Sequence, residues 1–174
     1  MKDISYINTQ KLSEIINIEY NEINTKNLDQ KVYNKLLEKV DNKCYKNGYI
    51  LKNSIKMINK SLCKLENLDS ENKLVCKINF RVAIIQPGVE DIIECYIDNI
   101  NKMGIIAYIK LKDIIEDYKG GNTLNDSPLI IIIPLQLIEN IDTMNIGKKI
   151  KVKVNATRIK FNANQIQIVG TIIE

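Results

Sequence analysis

Leu74-Val-Cys-Lys-Ile-Asn-Phe-Arg-Val-Ala-Ile-Ile-Gln-Pro-Gly-Val-Glu90 is the segment from which the rest of the chain is best read. Leu74, Cys76, Ile78, Phe80, Val82 and Ile84 recur at every second position, with Lys77, Asn79 and Arg81 between them. A strand sends successive side chains to opposite faces, so this is a long strand with one buried face and one wet face. Pro87-Gly88 then breaks the pattern with a strong turn signal. The turn divides the chain into an N-terminal domain, 1–87, and a C-terminal domain, 88–174.

Downstream of the turn the pattern reads as five strands, at about 92–100, 103–110, 129–133, 149–157 and 164–173. The acidic stretch from Leu111 to Pro128, with Gly120-Gly121, is expected to be an exposed insertion. Leu135, Leu137, Ile138 and Ile141 suggest a short helix between the third and fourth strands. Five strands with a helix before the fourth is the plan of an OB barrel, a common single-strand binder. Upstream, Ile16, Ile18 and Tyr20 alternate as a half-buried strand. A helix follows from about Leu28 to Lys43, with Leu28, Val32, Leu36, Leu37 and Val40 on one stripe. Asn27 and Gln30 have the spacing of a capping box, and Gly48 of Asn47-Gly48 offers the left-handed exit. Tyr49–Leu51 and Ile55 to Met57 return to strand. The expected class is α+β: an RNP-like antiparallel sheet with one main helix, then a five-stranded barrel.

Composition narrows the function. The chain has 174 residues, 45% hydrophobic and 26% charged, with no His and no Trp. Without His there is no His general base, no His-containing triad and no His-ligated metal. Ile (34), Lys (23) and Asn (22) dominate while Arg is present only twice, a bias that AT-rich codons produce. Cations are therefore mostly Lys, which lacks the planar fork by which Arg grips phosphate. Two windows, Lys43–Lys64 and Asn145–Lys160, each hold six cations and no acid, whereas Glu90–Asp126 holds eight acids and four Lys. Such windows suit an anionic partner, and equally a solvated surface. Cys44, Cys63, Cys76 and Cys95 include no CxxC pair, so the expectation is four reduced, buried thiols and no metal site. The acidic pairs Glu90/Asp91 and Glu116/Asp117 lack further ligands and read as surface charge, and no cofactor is expected. The longest apolar run, 129–133, ends at Pro134 and is too short to cross a bilayer, so a soluble, intracellular protein is expected.

Asp91-Ile-Ile-Glu-Cys-Tyr-Ile-Asp-Asn-Ile-Asn-Lys-Met-Gly-Ile-Ile-Ala-Tyr-Ile109 resembles the opening hairpin of the RNA-binding OB family named after ribosomal protein S-one. Ile146-Gly-Lys-Lys-Ile-Lys-Val-Lys-Val154 is similar to its fourth strand and the preceding glycine turn. Together with the helix, Cys44-Tyr-Lys-Asn-Gly-Tyr-Ile-Leu51 and Phe80-Arg-Val-Ala-Ile-Ile-Gln-Pro-Gly-Val-Glu90, the whole chain resembles the seventh, stalk-forming subunit of multisubunit DNA-dependent RNA polymerases, a family with archaeal counterparts. The resemblance implies an RNP-like N-terminal tip that docks on the polymerase core and an OB barrel near the exiting transcript. It also implies a fourth-subunit-like stalk partner and an accessory role without catalytic residues. The AT-biased composition is that of a divergent member such as a large cytoplasmic DNA virus encodes. A viral member would reside in virion and host cytoplasm, a cellular eukaryotic one in the nucleus.

By the barrel plan, ligand crosses strands two and three between the one–two and four–five loops. The candidate RNA-contacting residues are Lys102, Tyr108, Lys110, Arg158, Lys160 and Phe161, with packing as the alternative for Tyr108 and the favoured reading for Phe161. Lys149, Lys151 and Lys153 share one strand face, as a phosphate-tracking stripe or, more simply, a solvated one. By the resemblance, Lys60 and Leu62 fall in the tip as candidates for core docking. Where this family stacks bases on aromatics, the sequence has Ile106 and an all-Ile third strand, so nascent single-stranded RNA is expected to bind weakly. The rival readings are a free-standing OB-fold factor in translation or RNA decay, and a structural partner protein without RNA contact.

Overall fold

The alternation that begins at Leu74 is realised as the longest strand of the computed structural model, which describes residues 4–23, 25–68, 71–115, 118–138 and 141–173. In chain order the elements are β1 (Ile7–Glu19), α1 (Leu28–Val40), β2 (Cys44–Tyr45), β3 (Gly48–Ile50), β4 (Lys56–Lys60), β5 (Lys64–Leu68) and β6 (Glu71–Ile85). They continue as β7 (Ile92–Asn101), β8 (Gly104–Tyr108), β9 (Leu129–Pro134), β10 (Lys149–Arg158) and β11 (Ile166–Ile173). The class is α+β. One sheet runs in the order β1-β6-β3-β2, with β4 and β5 also paired to β6, and the other five strands close a barrel. Contacts divide the chain into two units: the residues up to Asn8 with Lys43–Tyr49 and those from Ile85 onward, and Thr9–Asn42 with Ile50–Ile84.

In the second of these units, Cys76, Ile78, Phe80 and Val82 of β6 are all buried, as are Ile16 and Ile18 of β1. Val32, Leu36 and Val40 repeat every fourth residue and are the buried stripe of α1. Polar ties fix the helix. Lys39 Nζ donates to Glu14 at 2.6 Å and to the Ile15 carbonyl, Lys35 pairs with Glu22, and Lys60 of β4 pairs with Asp29. The helix boundaries differ from expectation. Asn27 precedes α1 without a side-chain cap, and the exit comes after Val40, where Asn42 takes the left-handed conformation at φ 57°. Gly48 is instead the first residue of β3, paired with Tyr45, so the turn at Asn47-Gly48 belongs to a hairpin.

The expectation of four reduced cysteines is overturned at one pair: Cys63 and Cys76 form a disulfide. The ladder explains it. Lys64 pairs with Val75 in the antiparallel β5–β6 register, which sets Cys63 opposite Cys76 with Cα atoms 4.4 Å apart. That is the separation of a non-hydrogen-bonded antiparallel pair, whose side chains approach most closely. Cys44 and Cys95 are free and buried, and burial pushes their thiols up to about 11 and about 12.

The barrel has the OB-like order β7-β8-β9-β11-β10, closed by β10 against β7, with β9 and β11 parallel and the other pairs antiparallel. Its interior is a set of alternate residues from every strand, among them Ile93, Cys95, Ile97, Ile105, Leu129, Ile131, Ile133, Val152, Val154 and Ile168, all buried. Gly104 opens β8 at φ 134°, and a Cβ there would lie 2.0 Å from the Ile133 carbonyl oxygen. Two other expectations need correction. The Pro134–Met144 link holds two 3-10 turns, Leu135–Leu137 and Ile141–Thr143, rather than a helix. Leu135, Ile138 and Ile141 recur every third residue, a spacing that 3-10 turns share with a helix, and Leu135 and Leu137 are exposed. The 111–128 insertion is not exposed throughout. Leu111, Ile114 and Ser127 are buried, and Gln165 Nε2 donates to the carbonyls of Leu124 and Ser127. Among the described residues no helix is long and apolar enough to cross a membrane.

Candidate nucleic-acid interface

The barrel register aligns outward side chains into rows that cross the strands. Tyr96 pairs with Tyr108, Tyr108 with Ile130, Ile130 with Gln167, and Gln167 with Arg158. One row therefore runs Tyr96–Tyr108–Ile130–Gln167–Arg158, on the order of 20 Å across five strands. The Tyr96 and Tyr108 rings lie 6.3 Å apart, and the Lys110 ammonium sits 3.7 Å from the Tyr96 ring centroid. Tyr96 donates its hydroxyl to Asp113 at 2.8 Å, which orients the ring and raises its pKa, so the phenol is neutral at physiological pH. The row thus offers an aromatic pair and a cation at one end and Arg158 at the other.

The neighbouring row is Asn99–Ile106–Ile132–Val169–Ala156. It carries no ring and no charge, and Ile132 and Val169 are each 37% exposed. A base has nothing to stack on there.

The four–five loop is braced by the β2–β3 hairpin. Asn162 donates its backbone N–H to the Cys44 carbonyl, and the Cys44 N–H donates to the Ala163 carbonyl. Phe161 tilts against Tyr45 with ring centroids 5.9 Å apart while remaining 57% exposed, and Lys46 Nζ lies 5.1 Å from the Tyr45 ring. The first residues of one basic window thereby meet Phe161–Ala163, just past the end of the other, placing Lys46 beside the loop that follows Arg158 and bears Lys160. Nothing local in the sequence marks that meeting, because it depends on a contact spanning more than a hundred residues.

The candidate residues fall into distinct places. Tyr108 and Arg158 belong to one row, with Tyr96 as a member that sequence reading missed, and Lys110 lies against the Tyr96 ring. Lys160 and Phe161 flank the same barrel end as Arg158. Lys102 is exposed in the β7–β8 turn, at the far end of β8 from Tyr108 and on the order of 15 Å away. Lys60 is committed to Asp29, whereas Leu62 is 90% exposed between β4 and β5. The lysine stripe is partly neutralised: Lys149 pairs with Glu94 at 2.7 Å and Lys153 with Glu90 at 2.6 Å. Asp91 instead holds the Pro87-Gly88 turn, accepting the Gly88 N–H at 2.7 Å and the Ser5 hydroxyl at 3.1 Å. Glu116/Asp117 lie outside the described residues. No family model and no curated protein sequence matches the chain.

Proposed function

We propose that this protein is a non-catalytic stalk subunit of a DNA-dependent RNA polymerase, docking on the core through its N-terminal region and holding an OB-like barrel near the transcript. The observation that carries the reading is the order of elements: a helix and hairpin, then a long β6 ending at Pro87-Gly88, then the barrel with its glycine-opened second strand. That is the order in the family the sequence resembles. Leu62 supplies an apolar contact at the tip, with Ile58 and Leu65 exposed on the adjoining strands. The barrel's outer face suits an occasional RNA contact better than a tight grip. One row has a single stacking pair and cations, and the next is aliphatic.

Leu62 gives the test. Leu62→Asp changes a fully solvated position, so the fold is retained while a core contact there is lost. Polymerase subunits should then stop co-purifying with the variant. Undiminished co-purification removes Leu62 from the interface. Submicromolar affinity for single-stranded RNA at physiological salt would favour the free-standing RNA-binding factor.

A further inference from the structure

β4 and β5 pair with successive stretches of β6, but in two registers. Lys60 faces Ile78 and Lys64 faces Val75, so four steps along the edge answer three along β6 and one residue is extra. That residue is Leu62. On one side of it the Ser61 N–H donates to the Lys77 carbonyl, and Ser61 Oγ accepts the Lys77 N–H. On the other side Cys63 is bonded to Cys76. Leu62 is thus a β-bulge, thrown outward into solvent between two attachments. Past the bulge, the residues of β5 on the face of Cys76, Ile78 and Phe80 are Leu65 and Asn67, which lie opposite Leu74 and Asn72. Both are exposed, as are Lys64 and Glu66. Among residues 61–67 Cys63 alone is not exposed, and its partner Cys76 is fully buried. The bridge therefore ties to the core a strand that has no apolar anchor in its first four residues, and a short strand held by ladder bonds alone is marginal in water.

We propose that the Cys63–Cys76 bridge is a redox site, reduced by a dithiol, and that its cleavage releases β5 from β6. The attack falls on the sulfur of Cys63, which is half-buried, because Cys76 is covered. A thiolate of the dithiol bonds to that sulfur, the S–S bond breaks with its electron pair passing to the Cys76 sulfur, and Cys76 takes up a proton. The second thiolate then attacks the reductant's own sulfur in the mixed disulfide and frees Cys63, which is protonated in turn. The dithiol ends as a disulfide, and the same exchange run backward restores the bridge. Once the bridge is open, the bulge that presents Leu62 keeps only its Ser61 attachment. Where Leu62 is the docking contact proposed above, reduction weakens docking. That consequence rests on the docking reading, whereas the release of β5 does not.

The test reduces the full chain with dithiothreitol in the absence of denaturant, alkylates it with iodoacetamide and locates the label by mass spectrometry. Cys44 and Cys95, the buried free thiols of the barrel unit, are internal controls. Cys63 and Cys76 should both be labelled at least about tenfold faster than these two, because release of β5 uncovers Cys76 by local opening. Hydrogen exchange of the reduced chain should find the Lys64 and Glu66 amides unprotected while Val32 and Leu36 of α1 stay protected. Cys63→Ser should show the same exchange pattern with or without reductant. The labelling reads the chain alone and Leu62→Asp reads the partner, so either can fail without the other. Three results would each overturn the proposal: a bridge that resists dithiothreitol until urea unfolds the chain, a Cys76 that stays unlabelled after reduction, and β5 protection lost only in step with α1.

Discussion

Three glycines form a graded series that tests the geometry of the barrel entrance. Gly88 has ordinary backbone angles, and an added Cβ would meet Asp91 Oδ2 at a comfortable 3.5 Å. Gly147 is at φ 83° with nothing near its absent Cβ. Gly104 has both handicaps: φ 134°, and a Cβ that would fall 2.0 Å from the Ile133 carbonyl oxygen and 2.9 Å from the Leu135 nitrogen. Carbon and oxygen ordinarily approach to about 3.3 Å, so β8 and β9 must part by more than about 1 Å. That opening breaks at least the bond the Leu135 N–H donates to the Met103 carbonyl. Gly88→Ala should therefore be neutral or slightly stabilising, through the smaller entropy of the unfolded chain. Gly147→Ala should cost about 1 kcal/mol from backbone strain alone. Gly104→Ala adds strain of about 1–3 kcal/mol to a lost hydrogen bond of about 1 kcal/mol, for roughly 3 kcal/mol in all. Urea titration followed by the amide signals of Ile131 and Val152, inside the barrel, isolates this unit from the other. A Gly104→Ala loss below about 1 kcal/mol, or no larger than that of Gly147→Ala, would refute the close approach of β8 to β9.

Other outcomes follow from single features. Cys63→Ser should cost about 3 kcal/mol under oxidising conditions, the chain-entropy value for closing a loop of this size, and a thiol reductant should destabilise the parent chain equally while leaving the variant unchanged. A parent chain indifferent to reductant would contradict the bridge. Burial, with Cys95, Glu94 and Asp91 adding to it, pushes Tyr6 up to about 12 from 10.0, so its contribution is intact below pH 10 and is lost as pH rises toward 12, where only the unfolded chain has released the proton. Tyr6→Phe should flatten the fall of stability over that window, and an unaltered slope in alkaline denaturation would remove Tyr6 as a cause. Lys110→Ala and Arg158→Ala should each lower the log–log salt slope of oligouridylate binding by about 0.7, and equal slopes before and after would take that row out of the RNA path.

Much of this structure is legible in the sequence because period-two alternation is a local signal. Leu74 to Ile84 and the five downstream strands each expose their buried set within a few residues, and the barrel interior is the set so read. The errors are non-local or competitive. Gly48 is a plausible helix exit only if β2 and β3 are ignored, and once Tyr45 pairs with Gly48 the exit passes to Asn42. The Cys63–Cys76 pairing depends on the β5–β6 register, which a spacing of 13 residues does not disclose. Tyr108 and Lys110 are found from parity along one strand, whereas Tyr96 enters only when β7 is laid against β8. The bracing of Phe161 by Tyr45 joins distant segments of the chain in the same way.

The most direct test of the stalk reading is affinity purification of the tagged full-length protein from its native source, with partners quantified by mass spectrometry. The account predicts the large polymerase subunits in stoichiometric amounts, together with a second small stalk protein. Recovery of ribosomal or RNA-decay proteins in their place would contradict it.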